Sequence, residues 1–153
     1  MSLGGGGNQQ MQEIAAQIEE LEEQQEAIEA EIESLQVEKR DIDEAISAVE
    51  ELESGATVQV PLGGGAYVRA TVEDIDEVIV DLGADYSAER EQEGAIDSLE
   101  TKQDTLDDRI DELRSEIAEI ESESEQLEQR AEQMQAQQMK QMQQQQHQQE
   151  QDE

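Results

Sequence analysis

The sequence predicts an α+β chain in which a long antiparallel coiled-coil helical hairpin carries two small β-hairpins at its connecting end. Three observations lead there. Two heptad seams of equal length flank a middle segment, and that segment alternates with period two between glycines. The composition also lacks what a compact core draws on. Phe, Trp and Cys are absent, and Tyr67 and Tyr86 are the only aromatic residues. A globule buries much of its area through aromatic side chains, whereas a narrow helical seam does not need them.

Residues 1–10 contain four consecutive glycines. Their large ordering cost predicts a mobile, disordered tail. Residues 11–54 are expected to form the first coiled-coil helix. Its seam is Met11, Ile14, Ile18, Leu21, Gln25, Ile28, Ile32, Leu35, Lys39, Ile42, Ile46 and Val49. Alternating steps of three and four keep one stripe facing a partner helix. No Gly or Pro interrupts this stretch, and Gly55 supplies a stop.

Residues 55–86 change to the period of strands. Val58, Val60 and Leu62 share one face; Ala66, Val68, Ala70 and Val72 share another; Val78, Val80 and Leu82 repeat the pattern. Gly63-Gly64-Gly65 turns the first strand onto the second. Gly83-Ala84-Asp85 turns the third onto a short fourth around Tyr86, and Ser87 is the expected cap of the next helix. Such a small sheet with one-sided strands cannot bury enough surface alone. Edges and apolar faces are therefore expected to be completed by other subunits. Val58, Val60, Leu62, Val68, Val72, Val78, Val80 and Leu82 are the candidate assembly residues.

Residues 87–142 are expected to form the returning helix. Its seam is Ile96, Leu99, Gln103, Leu106, Ile110, Leu113, Ile117, Ile120, Ser124, Leu127, Ala131 and Met134. An antiparallel hairpin then layers Val49 on Ile96, Ile46 on Leu99, and onward to Met11 on Met134. Gln25 faces Ile120, Lys39 faces Leu106, Gln103 faces Ile42, and Ser124 faces Leu21, so no two polar seam residues meet. The paired helices would extend roughly 55–60 Å. Gly94 is a departure inside the helix, costing about 1 kcal/mol relative to Ala. Residues 143–153, rich in Gln, are expected to be a second disordered tail.

The formal net charge is −33, from 42 acidic and 9 basic residues. Mutual repulsion along the helices is relieved when salt shortens the screening length, to about 3 Å at 1 M. A halophilic cytoplasm is the expected setting, and the absence of Cys fits a reducing compartment. The charge opposes binding to nucleic acid or to anionic membrane, since no basic stripe is present. No apolar run approaches the ~18 residues of a membrane span, and no N-terminal signal pattern is present.

Catalysis finds no support. There is no plausible Ser/His/Asp set, and carboxylates on a solvated helix lack a pocket to tune them. Gly63-Gly64-Gly65 lacks the Lys and Ser/Thr of a phosphate loop. His147 stands alone in a Gln tract and no loop has EF-hand spacing, so neither metal nor cofactor is expected.

The run Val58-Gln59-Val60-Pro61-Leu62-Gly63-Gly64-Gly65-Ala66-Tyr67-Val68 resembles the strand and turn of prefoldin subunits of the alpha class. So does Val78-Ile79-Val80-Asp81-Leu82-Gly83-Ala84-Asp85-Tyr86-Ser87-Ala88-Glu89, and with the helices the likeness covers roughly residues 10–140. Two hairpins match the alpha class, since beta subunits carry one. The resemblance implies a prefoldin-like fold and an alpha2-beta4 hexamer whose hairpins form a β-barrel platform. It implies further that the helix ends hold unfolded polypeptides without ATP and pass them to a group II chaperonin. The residues placed there are Met11, Ile14, Ile18, Leu127, Ala131 and Met134, with Met139 and Met142 beyond. Methionine is polarizable and adaptable, which suits weak contact with many apolar shapes. The same seam residues have a plainer reading as coiled-coil core. A structural or scaffolding coiled coil, including a prefoldin-like component of another assembly, is the alternative function.

Overall fold

The computed structural model describes residues 3–151. The element order is α1 (Leu3–Glu51), β1 (Thr57–Gly63), β2 (Ala66–Thr71), β3 (Val78–Gly83), β4 (Tyr86–Arg90) and α2 (Gln92–Gln151). Two long helices thus bracket two antiparallel hairpins, β1–β2 and β3–β4, which form separate two-stranded sheets. The α+β class and the prefoldin-like arrangement are as the sequence indicates. The chain divides into two compact units, one of Met1–Ile32 with Glu112–Glu153 and the other Glu33–Asp111.

Every seam residue named above is buried or half-buried, while most positions between them are exposed. In the first unit, Gln25 Nε2 donates to Glu121 Oε1 at 3.3 Å and to Glu29 Oε1 at 3.2 Å. Glu121 neighbours Ile120, the residue expected opposite Gln25. The polar head therefore leans out of the seam to a carboxylate at its rim. The seam also continues one layer past Met11 and Met134. Gly7 and Gln138 are half-buried there, and a Cβ on Gly7 would collide with the Gln138 amide.

The helix bounds reach further than expected at both ends. Extending an existing helix needs no new nucleus, so the glycine run adds to α1 without the cost of a first turn. At the other end, the Gln-rich sequence contains no Gly or Pro after Gly94 and has good helix propensity. Side chains from residue 139 to 151 are all exposed along this last, helical part of α2. Residues 1, 2, 152 and 153 of the two expected tails lie outside the described residues.

In the second unit, β1 pairs with β2 through Val58↔Ala70, Gln59↔Arg69 and Val60↔Val68, with an irregularity between Pro61 and Gly63. β3 pairs with β4 through Val78↔Arg90, Ile79↔Glu89 and Val80↔Ala88, with the same irregularity between Asp81 and Gly83. Both hairpins close through two residues of positive φ, Gly64-Gly65 in the first and Ala84-Asp85 in the second. Positive φ at both central positions matches the strand twist of a tight hairpin.

Ser87 is not the helix cap that the sequence suggested. It pairs with Asp81 inside β4, which continues to Arg90 and gives the backbone ladder partners in place of a helical turn. α2 starts instead after Glu91, whose carbonyl accepts from Ala95 N–H at 2.8 Å. The Asp76 carboxylate accepts from Gln92 N–H at 3.3 Å, so an N-terminal helix donor is satisfied from a distant loop. Gln92 Nε2 in turn donates to the Val49 and Leu52 carbonyls at 2.7 and 3.2 Å. One side chain thereby ties the end of α1 to the start of α2. Val49, Val80 and Ala95 form a buried cluster beneath this junction, flanked by Val78, Ile96 and Leu99.

Candidate functional site

Two surfaces carry the candidate residues. The first lies on the hairpins of the unit Glu33–Asp111. Cross-strand pairing puts Val58, Val60, Val68 and Ala70 on one face of β1–β2. Val58 and Ala70 are half-buried, whereas Val60 and Val68 remain exposed. Leu62, at the irregularity, is 67% exposed, and Val72, just beyond β2, is half-buried.

The second hairpin behaves differently. Val80 is only 4% exposed because it packs with Val49 and Ala95, and half-buried Val78 joins the same cluster. The valine face of β3 is thus turned onto the chain's own helices. Its opposite face offers Ile79, 73% exposed, while Leu82 at the irregularity is also exposed. Tyr67 and Tyr86 follow the two turns and stand in solvent as well.

Of the sequence-selected assembly residues, Val60, Leu62, Val68 and Leu82 are therefore available to a partner. Val80 is occupied, and Val58, Val72 and Val78 are partly so. Ile79, Tyr67 and Tyr86 were not selected. Alternation does define the face of Ile79, but it cannot tell which face meets the helices. Exposed apolar side chains concentrated on so few strands have no partner within the chain, and aromatic residues are favoured in buried contact patches.

The second surface lies at the helix ends, in the unit Met1–Ile32 with Glu112–Glu153. Ile14 is buried; Met11, Ile18, Leu127, Ala131 and Met134 are half-buried. Ile14 and Met134 line one shallow cleft with Gln10, Gln17 and Arg130, so the α1 and α2 members of this set meet. Met139 and Met142 lie beyond the seam and are 69% and 66% exposed. Among the described residues no acidic or His cluster is arranged to hold a metal ion, and no helix is long and apolar enough to cross a membrane.

The prefoldin subunit family model matches residues 21–152, which takes in most of both helices and both hairpins. The chain belongs to the prefoldin family. Among relatives of this prefoldin, the prefoldin subunit alpha of Haloarcula marismortui is 68% identical over 95 residues, covering 62% of each chain. The prefoldin subunit alpha of Haloquadratum walsbyi is 60% identical over 102 residues, covering 67% of this chain and 66% of that one. The chain thus matches under two thirds of the length of these relatives. Such relatives come mostly from halophilic archaea, in keeping with the acidic composition. Among solved structures, a chain of filamentous PFD from Methanocaldococcus jannaschii, determined by cryo-EM, superposes with a TM-score of 0.51. It is 31% identical and the match covers 78% of this prefoldin and 95% of that chain.

Proposed function

We propose that this prefoldin subunit is an alpha-type arm of a hexameric, ATP-independent holdase. Two such chains join four beta-type subunits through the hairpins in a high-salt cytoplasm. The helix ends hold unfolded polypeptides and deliver them to a group II chaperonin.

The observation that carries this reading is the change along α2 from half-buried Met134 to exposed Met139 and Met142. This exposed stretch of helix presents flexible, polarizable side chains to solvent. Opening the adjoining layers Met11, Ile14, Ile18, Leu127 and Ala131 would add apolar area, and terminal layers open at the lowest cost. The exposed apolar residues of the hairpins support the assembly half of the proposal.

The test is light scattering from an aggregating, chemically unfolded client in molar salt, with the assembled complex added. Removing residues 1–18 and 127–153 is expected to abolish protection while leaving the hexamer intact by native mass measurement. A truncated complex that assembles and protects equally well would overturn the holdase mechanism. It would favour a scaffolding coiled coil.

A further inference from the structure

Sulfur in this chain is confined to its two ends. The five methionines are Met1, Met11, Met134, Met139 and Met142, and Cys is absent. Met1 lies outside the described residues. Residues 12–133, which hold both hairpins and most of both helices, contain no sulfur at all. With no thiol to react first, the thioethers are the most readily oxidised side chains of the chain.

The four described methionines fall into two environments. Met11 and Met134 are half-buried in the seam, whereas Met139 and Met142 are exposed. The exposed pair is three residues apart on α2, which sets both side chains on one side of the helix. From residue 135 to 151 the only other apolar residue is Ala136; the remainder are Gln, Lys140, His147 and Glu150. All the large apolar surface of this stretch therefore rests on two accessible sulfur-bearing side chains. Leucine or isoleucine would offer similar area that an oxidant could not alter.

We infer that Met139 and Met142 are a reversible oxidation site for peroxides, and that their sulfoxides weaken the hold of this end of α2 on an unfolded polypeptide. The inference rests on the holdase reading above and adds its regulation. A lone pair of the thioether sulfur attacks one oxygen of hydrogen peroxide, forming the S–O bond as the O–O bond breaks. The departing hydroxide takes the proton of the transferred oxygen and leaves as water; sulfur loses two electrons and peroxide gains them. A dithiol reverses the step through a methionine sulfoxide reductase, the sulfoxide oxygen leaving as water while the two thiols become a disulfide. Each cycle exchanges a flexible apolar side chain for a polar one. Ile14, Ile18 and Leu127 in the adjoining layers carry no sulfur, and the seam shields Met11 and Met134, so a limited dose of peroxide reaches the exposed pair first.

The test treats the assembled complex with hydrogen peroxide in molar salt, removes the peroxide, and then adds a chemically unfolded client. Peptide mass spectrometry reads the sulfoxide at each methionine, and light scattering reads protection from aggregation. Met139 and Met142 are expected to oxidise several-fold faster than Met11 and Met134. Protection should fall by about 3-fold or more at unchanged helicity, and a methionine sulfoxide reductase with dithiothreitol should restore it. The double variant Met139→Leu with Met142→Leu should keep after peroxide the protection it gives before, whatever that level is. The same fractional loss in this variant, or unchanged protection by a complex fully oxidised at Met139 and Met142, would overturn the switch. So would protection that stays lost once both sulfoxides are reduced. An untreated complex that gives no protection would instead overturn the holdase reading, and this inference with it.

Discussion

Lys39 on α1 forms an ion pair with Asp107 on α2, and Gln103, one turn before Asp107, donates to the Lys39 carbonyl at 3.3 Å. Gln103 also donates to the Asp43 carboxylate. Two polar residues that interrupt the heptads thus clasp each other's helices across the seam. A polar seam residue lowers stability but marks a single register, since sliding by a heptad would strand it among apolar neighbours.

Replacing Lys39 by leucine is therefore expected to raise stability by about 1 kcal/mol, because a partly exposed ion pair contributes only about 0–1 kcal/mol, less than the roughly 1.5 kcal/mol of added apolar contact with Leu106. The same change should broaden the register. Urea denaturation reads the first effect, and disulfide trapping between Cys pairs introduced in shifted registers reads the second. A loss of stability with no off-register trapping would contradict this account.

Val80 and Val60 occupy equivalent places in the two hairpins but opposite environments, the first buried and the second exposed. Val80→Ala should cost roughly 1–3 kcal/mol through lost packing on Val49 and Ala95. Val80→Asp should melt the second hairpin, as an unpaired charge cannot be held in that cluster. Val60→Asp should leave the subunit folded and weaken assembly instead. Hydrogen exchange of the β3–β4 amides separates the two outcomes, with oligomer mass as the companion measurement.

The contrast between Val80 and Ile79 also marks how far the sequence is legible. Periodicity identified both helices and three strands, because a 3.5-residue seam and a two-residue alternation are imposed by geometry along the whole element, while the short fourth strand followed from the turn before Tyr86. Alternation names two faces of β3 but does not say which one meets the helices. That depends on the close approach permitted by fully buried Ala95 at the start of α2. Ser87 misled for a related reason: its local preference for capping lost to cross-strand pairing with Asp81, a partner the turn brings into reach. At the helix ends the seam residues were found by spacing, yet the extra layer of Gly7 and Gln138 carries no apolar signal. It is visible only once the helices are paired.

Two glycine exchanges in opposite directions test the backbone argument. Ala84 adopts φ 51° in the second hairpin turn, where the first hairpin has Gly64 at φ 61°. Ala84→Gly should stabilise by about 1 kcal/mol by removing the left-handed penalty. Gly94 lies in the first turn of α2, where an added Cβ finds only ordinary contacts with Arg90. Gly94→Ala should stabilise by a similar ~1 kcal/mol through helix propensity. Thermal denaturation measures both, and a destabilised Gly94→Ala variant would mean that Arg90 needs the space.

The acidic helices make a final, global prediction. With 42 carboxylate side chains and few cations to offset them, repulsion acts along the length of each helix and between the two. Screening length falls from about 10 Å at 0.1 M salt to about 3 Å at 1 M, so most of this repulsion disappears over that range. The melting midpoint followed by circular dichroism should rise by about 10 °C or more between those conditions. Potassium chloride should produce the rise and a neutral osmolyte at equal osmolality should not, because only the salt screens charge. Equal stabilisation by both would show that exclusion of solute from the surface, rather than charge screening, sets the salt requirement.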